Sequence, residues 1–183
     1  MMRPAAAALL ALLVGSCAGV PDGPPARPGD LCAVFAERPA WRAAALAAGV
    51  RWDAPVPLVM AILWQESGFR AEAAPPEEYA LGILPVGPVS SAYGYPQAID
   101  GTWEWYRRES GNSRADREDF ADSVDFVGWY LARSRRVNGL ARDDAFAHYI
   151  AYHEGHSGYA RGGWRKKTWL LQVAERVAVR AAR

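Results

Sequence analysis

Between residues 54 and 70 the chain reads Ala54-Pro55-Val56-Pro57-Leu58-Val59-Met60-Ala61-Ile62-Leu63-Trp64-Gln65-Glu66-Ser67-Gly68-Phe69-Arg70. From Val56 to Trp64 it is apolar on every face, so a helix formed here has to be buried nearly all round. Asp53 is placed to cap such a helix, and Pro55 or Pro57 is tolerated in its first turn. Gly68 stands where a left-handed C-terminal cap is usual. Glu66 is therefore a carboxylic acid in the last turn of a hydrophobic helix. The negative end of the helix dipole and the apolar surroundings both disfavour its charged form. Each raises its pKa, as a general acid working near neutral pH requires.

Working outward, the chain has 183 residues, 51% of them hydrophobic and 22% charged, enough for one packed domain. Its eight tryptophans can fill a core or line a carbohydrate groove. The 21 basic residues are matched by 20 acidic ones, and this balance argues against nucleic acid as a partner.

Met1 to Ala18 has the form of an export signal, with Arg3, the apolar run Ala5–Val14 and then small residues. Residues 1–16 are expected to be removed. Gly19 to Asp30 is rich in proline and glycine and is expected to act as a tether, residues 17–29, with no packing of its own. The folded domain then spans 30–183. Cys32 is expected to be a buried small apolar residue, or else the partner of Cys17 in a disulfide.

In the body of the chain, Asp30 caps a helix running to Glu37 and stopped at Pro39, and Trp41–Ala48 forms another ended by Gly49. After the Glu66 helix, Ala71 to Pro96 is too rich in proline and glycine to be helical, and Leu81–Val86 is expected to form a short strand or ribbon. Helices are expected again over Ile99–Ser110, Asp119–Arg136, Asp143–His153 and Lys167–Ala182. Trp103 and Trp105 cannot share a helix face, and Trp103 is assigned to the core. The architecture is mostly α.

Two further stretches carry residues that packing does not demand. One is Ser90-Ser91-Ala92-Tyr93-Gly94-Tyr95-Pro96-Gln97; the other is Ala151-Tyr152-His153-Glu154-Gly155-His156-Ser157-Gly158-Tyr159, expected as a helix end turning into a glycine-rich loop. The histidines at 153 and 156 are three apart with a glycine between, unlike the zinc-binding pair four apart on one face, and no metal is expected. Gly155-His156-Ser157-Gly158 is one residue short of a nucleophile elbow.

Glu66-Ser67-Gly68-Phe69, Ala92-x-Gly94-x-x-Gln97 and Ala151-Tyr152 with Gly155 resemble, in order, the three motifs of the SLT-type lytic transglycosylases of lysozyme-like fold. The resemblance covers roughly Arg51 to Ala160. Departures are Gly94-Tyr95-Pro96-Gln97 for the family's Gly-Leu-Met-Gln, Ala151-Tyr152-His153 for Ala-Tyr-Asn, and a longer segment between the first two motifs. The resemblance implies a lysozyme-like helical domain with an irregular loop or small β-ribbon after the catalytic helix. It also implies cleavage of the MurNAc-β-1,4-GlcNAc bond of peptidoglycan, leaving 1,6-anhydroMurNAc ends, with Glu66 as the acid and Tyr152 hydrogen-bonded to it. Ser67, Ser91, Tyr93, Tyr95, Gln97 and His153 are expected to contact the sugar, without cofactor or metal. Leu13-Val14-Gly15-Ser16-Cys17 resembles a bacterial lipobox, which implies a lipid on Cys17 and a monomer held at the periplasmic face of the outer membrane. Two alternatives stay open: Glu154 as a second carboxylate in a hydrolytic muramidase, or an inactive peptidoglycan-binding lipoprotein.

Overall fold

The computed structural model describes residues 23–80 and 84–183, with side chains except over 78–86. The expected signal segment, the lipobox-like stretch and Cys17 lie outside the described residues. Seven helices are found among them: α1 Leu31–Glu37, α2 Pro39–Trp52, α3 Val56–Ser67, α4 Asp100–Ser110, α5 Phe120–Asn138, α6 Ala145–Arg161 and α7 Thr168–Ala181. Strands β1 Glu77–Ala80 and β2 Leu84–Pro88 pair antiparallel, Glu77 opposite Pro88 and Ala80 opposite Leu84. This is the mostly helical, lysozyme-like domain expected, with its β-ribbon after α3.

Helix α3 is the centre. Leu58, Val59, Met60, Ala61, Ile62 and Leu63 are all buried, and the helix is packed among α2, α5 and α7. Burying a Leu or Ile side chain is worth about 1.5–3 kcal/mol, so this run dominates the hydrophobic core. Helix α5 supplies the facing surface with Val124, Phe126, Val127, Trp129 and Leu131. Trp103 is 4% exposed and packs its ring against Tyr106 and Phe126, as expected of a core residue.

Several boundaries differ from the sequence expectation, each for a local reason. Pro39 opens α2 at its first position, where a missing N–H costs nothing, rather than ending α1 alone. Gly49 lies inside α2; a Cβ there would meet Val56 Cγ2 at 2.9 Å, so the glycine permits the tight α2–α3 corner. Asp53 does not cap α3. It adopts the left-handed conformation that ends α2, and its carboxylate pairs with Arg142 at 2.8 Å and Arg135 at 3.6 Å. Gly68 takes the expected left-handed cap at φ 61°.

Cys32 is exposed rather than buried. The packed face of α1 is Leu31, Val34 and Phe35, spaced three and four apart, and Cys32 falls off that stripe. The later part of the expected tether is laid against the domain. Pro25 is buried, the Arg38 guanidinium donates to the Gly23 carbonyl at 3.0 Å, and the Ala26 N–H donates to Glu37 Oε2 at 2.9 Å. Gly29 lies against the Trp64 ring.

Helix α6 runs well past the loop expected after His153. Gly155 has φ 73° and ψ 159°, a combination open essentially only to glycine, so the helix kinks there and resumes.

Candidate active site

The C-terminal end of α3 delivers Glu66 into a cleft of about 380 Å³. Ser90, Ala92, Gln97 and Ala98 form one wall, and Ile99 and Thr102 at the start of α4 extend it. Phe126 and Tyr130 of α5 form the floor, and Tyr152, His153, Glu154 and Gly155 of α6 close the other side. The three sequence segments singled out above therefore meet at one place.

Glu66 Oε1 is out of contact with solvent and has no hydrogen-bond partner among the described residues. An unpaired buried carboxyl oxygen is costly to charge and cheap to protonate. Burial accordingly raises the Glu66 pKa from 4.5 to about 7, opposed by one hydrogen bond from Tyr149. The acid is protonated over much of the neutral range, in the state from which it can donate.

The hydroxyl that reaches Glu66 is that of Tyr149, and not of Tyr152 as expected. Tyr152 instead donates to the Pro96 carbonyl at 2.6 Å, tying α6 to the loop before α4. Its ring sits edge-on to Phe126 and Tyr130. Residues 149 and 152 are three apart and share a helix face. The earlier one acts on Glu66 and the later one on the loop before α4. Burial and the nearby Glu66 push the Tyr152 phenol far above its ordinary value, so it remains a donor.

Other expected sugar contacts are placed differently. Ser67 is buried, and its hydroxyl donates back to the Leu63 carbonyl at 3.0 Å, a bond internal to α3. Ser91 Oγ accepts from the Asp100 N–H at 3.1 Å and so caps α4, while its neighbour Ser90 lines the cleft. Tyr93 donates to Glu118 at 2.6 Å, with the Arg117 guanidinium over its ring. Tyr95 stands edge-on to Trp41 and Phe120, which stack 3.8 Å apart, and is part of a structural aromatic cluster outside the cleft. These four are committed to holding loops and helix ends in place. Gln97 and His153 do line the cleft. The Gln97 amide N–H groups go to the carbonyls of Ala73 at 2.7 Å and Gly94 at 2.9 Å, which fixes the loop around it.

A second carboxylate lies in the same cleft. Glu154 accepts from Lys167 Nζ at 2.7 and 2.9 Å and from His153 at 3.1 Å, and the Lys167 ammonium holds its pKa below the ordinary range. Burial thus pushes Glu66 towards its neutral form while Lys167 favours the ionised form of Glu154, an opposite tuning of two acids by environment. The histidines 153 and 156 diverge: His153 meets Trp169, and His156 stacks on Tyr130 and contacts Ser134.

Thr102, Phe126, Tyr130 and Tyr149 were not singled out as site residues from sequence. Phe126 and Tyr130 sit four apart on α5, a pattern that reads only as core packing, and Tyr149 lies one turn before the motif tyrosine.

The family model described as the transglycosylase SLT domain matches residues 5–183. No match is found among curated proteins or among solved structures. With that match over nearly its whole length, and three motif segments gathered around one half-buried glutamic acid, the chain belongs to the transglycosylase SLT domain family of lytic transglycosylases.

Proposed function

We propose that the protein cleaves the β-1,4 bond between MurNAc and GlcNAc in peptidoglycan without water, Glu66 acting first as acid and then as base. The carrying observation is that Glu66 is half-buried in the cleft with a pKa of about 7. Its proton passes to the glycosidic oxygen as the C1–O bond breaks. The 2-acetamido group of the sugar stabilises the developing oxocarbenium. The Glu66 carboxylate then takes the proton of the C6 hydroxyl, whose oxygen attacks C1 and closes the 1,6-anhydro ring. Donor and acceptor are the same carboxyl group, so no second acid is consumed and no cofactor is needed.

A second reading has one observation in its favour: Glu154 lines the same cleft in ionised form. A hydrolytic muramidase uses two carboxyl groups. Glu154, however, is already neutralised by Lys167, which suits a structural ion pair better than a nucleophile or base. Digestion of purified peptidoglycan followed by mass analysis separates the readings. Anhydromuramic ends are expected from the wild type, and Glu154→Gln should leave that product unchanged. Reducing-end muramic acid, or a dead Glu154→Gln, means a two-carboxylate hydrolase.

The mature chain is taken to begin at Cys17, lipid-anchored at the periplasmic face of the outer membrane and monomeric. The Val14–Cys17 pattern supports this. Cys17→Ala should move the protein into the soluble fraction and lower its mass by the acyl groups; unaltered partitioning would end the anchor reading.

A further inference from the structure

Gly155 borders two cavities, of which the cleft is one. The second, of about 410 Å³, shares Thr102, Tyr130, Glu154 and Gly155 with it and continues between α4, α5 and the kinked part of α6. A Cβ at Gly155 would meet nothing within 4 Å, so the kink leaves free space where the two linings meet. The far walls are Trp105, Arg133, His156 and Arg161.

The charges there do not cancel. Glu154 is neutralised by Lys167, and Glu109 by Arg133, whose guanidinium sits 2.8 Å from the carboxylate and 4.0 Å over the Trp105 ring. Burial lowers the His156 pKa, so that ring stays neutral. Arg161 is exposed and has no hydrogen-bond or ion-pair partner among the described residues. A side branch of the cleft thus carries one uncompensated guanidinium beside an aromatic wall.

We propose that this branch receives the peptide stem borne by the muramic acid, with Arg161 pairing with a stem carboxylate and the partly exposed Trp105 beside the stem's side chains. The inference rests on the peptidoglycan reading above. It fits a substrate that is itself branched: the lactyl group at O3 of MurNAc carries a short peptide with free carboxylates, whereas the glycan backbone offers none. An Arg–carboxylate hydrogen bond is planar, forked and stronger than a neutral one.

The test compares intact glycan strands with strands stripped of stems by an amidase, which retain the lactyl carboxylate. The wild type should favour stem-bearing strands in kcat/KM by up to about fivefold, the worth of one solvent-exposed ion pair. Arg161→Glu should bring that ratio near one, and Arg161→Gln should fall between; Arg161 is exposed, so neither disturbs the core. Calorimetry on Glu66→Gln protein with a stem-bearing disaccharide and its stripped counterpart gives a readout independent of turnover. Tighter stem-bearing binding that is lost with Arg161→Glu supports the inference even if no anhydro product forms, which would sink the function alone. Equal binding of both ligands, or an Arg161 effect of the same size on stripped strands, overturns the inference and leaves the function standing.

Discussion

Glu66→Gln is expected to reduce peptidoglycan cleavage by about 10⁴-fold or more, because one group supplies both proton transfers and general acid–base catalysis is worth ~10²–10⁴. The same substitution has a pH-dependent effect on stability. The folded-state pKa of about 7 lies above the unfolded 4.5, so the proton favours the folded chain. That contribution is complete below pH 4.5 and is lost as pH rises through 7. A shift of this size corresponds to roughly 3 kcal/mol. The Gln variant has no such dependence and should be more stable than the wild type above pH 7, the two converging below pH 4.5. His148 acts in the opposite sense: buried, with its pKa lowered from 6.5 to about 4, it stabilises the fold above pH 6.5 and loses that effect as pH falls through 4. Removing Glu66 should therefore expose an acid-side decline that the wild type partly masks. Denaturant titrations at several pH values test both points. A variant that keeps activity, or that is less stable than wild type at pH 8, is incompatible with a strained catalytic acid.

The second large effect is expected at Tyr149. Its hydroxyl is the one hydrogen bond that opposes the upward push of burial on Glu66. Tyr149→Phe leaves the ring in place and removes that bond, so the Glu66 pKa should rise further. Turnover should fall by about 10–100-fold, since the carboxylate formed after proton donation loses its donor and its orientation. The descending alkaline limb of the kcat/KM profile should move to higher pH, a change that simple loosening of the fold does not produce. Tyr152→Phe removes the bond to the Pro96 carbonyl and should act mainly through the loop, raising KM more than it shifts the pH limb. If the limb moves with Tyr152→Phe and stays put with Tyr149→Phe, the assignment of the two tyrosines is reversed.

The arrangement also explains why so many polar groups near the motifs do not face the cleft. The loop between β2 and α4 has no regular backbone ladder of its own, and it is held instead by Ser91 on α4, Tyr93 on Glu118, Gln97 on two carbonyls and Tyr95 in an aromatic cluster. Of these four, Gln97 alone also lines the cleft. A residue type suited to binding sugar is equally suited to closing a loop on itself, and sequence does not distinguish the two.

From the sequence, the all-round apolar run before Glu66 was enough to place a buried central helix with an acid at its end. The short-range period of the later segments placed the remaining helices, with α6 running eight residues beyond its expected end, and the apolar Leu81–Val86 within a proline-rich interval pointed to the ribbon. All of these depend on interactions within a few residues along the chain, where helical spacing governs. What the fold alone settled depends on contacts between elements far apart in sequence. Asp53 pairs with Arg135 and Arg142 instead of capping the next helix, because those arginines arrive from α5 and the segment before α6. Tyr149 and Tyr152 lie on one face of α6, and only the rotation of that helix against α3 decides which hydroxyl meets Glu66. Glu154 finds Lys167 across a kink whose glycine looked like the start of a loop. The helix and its acid are local facts; their partners are tertiary ones, because side chains three residues apart are equivalent to the sequence and distinguishable only by what packs against them.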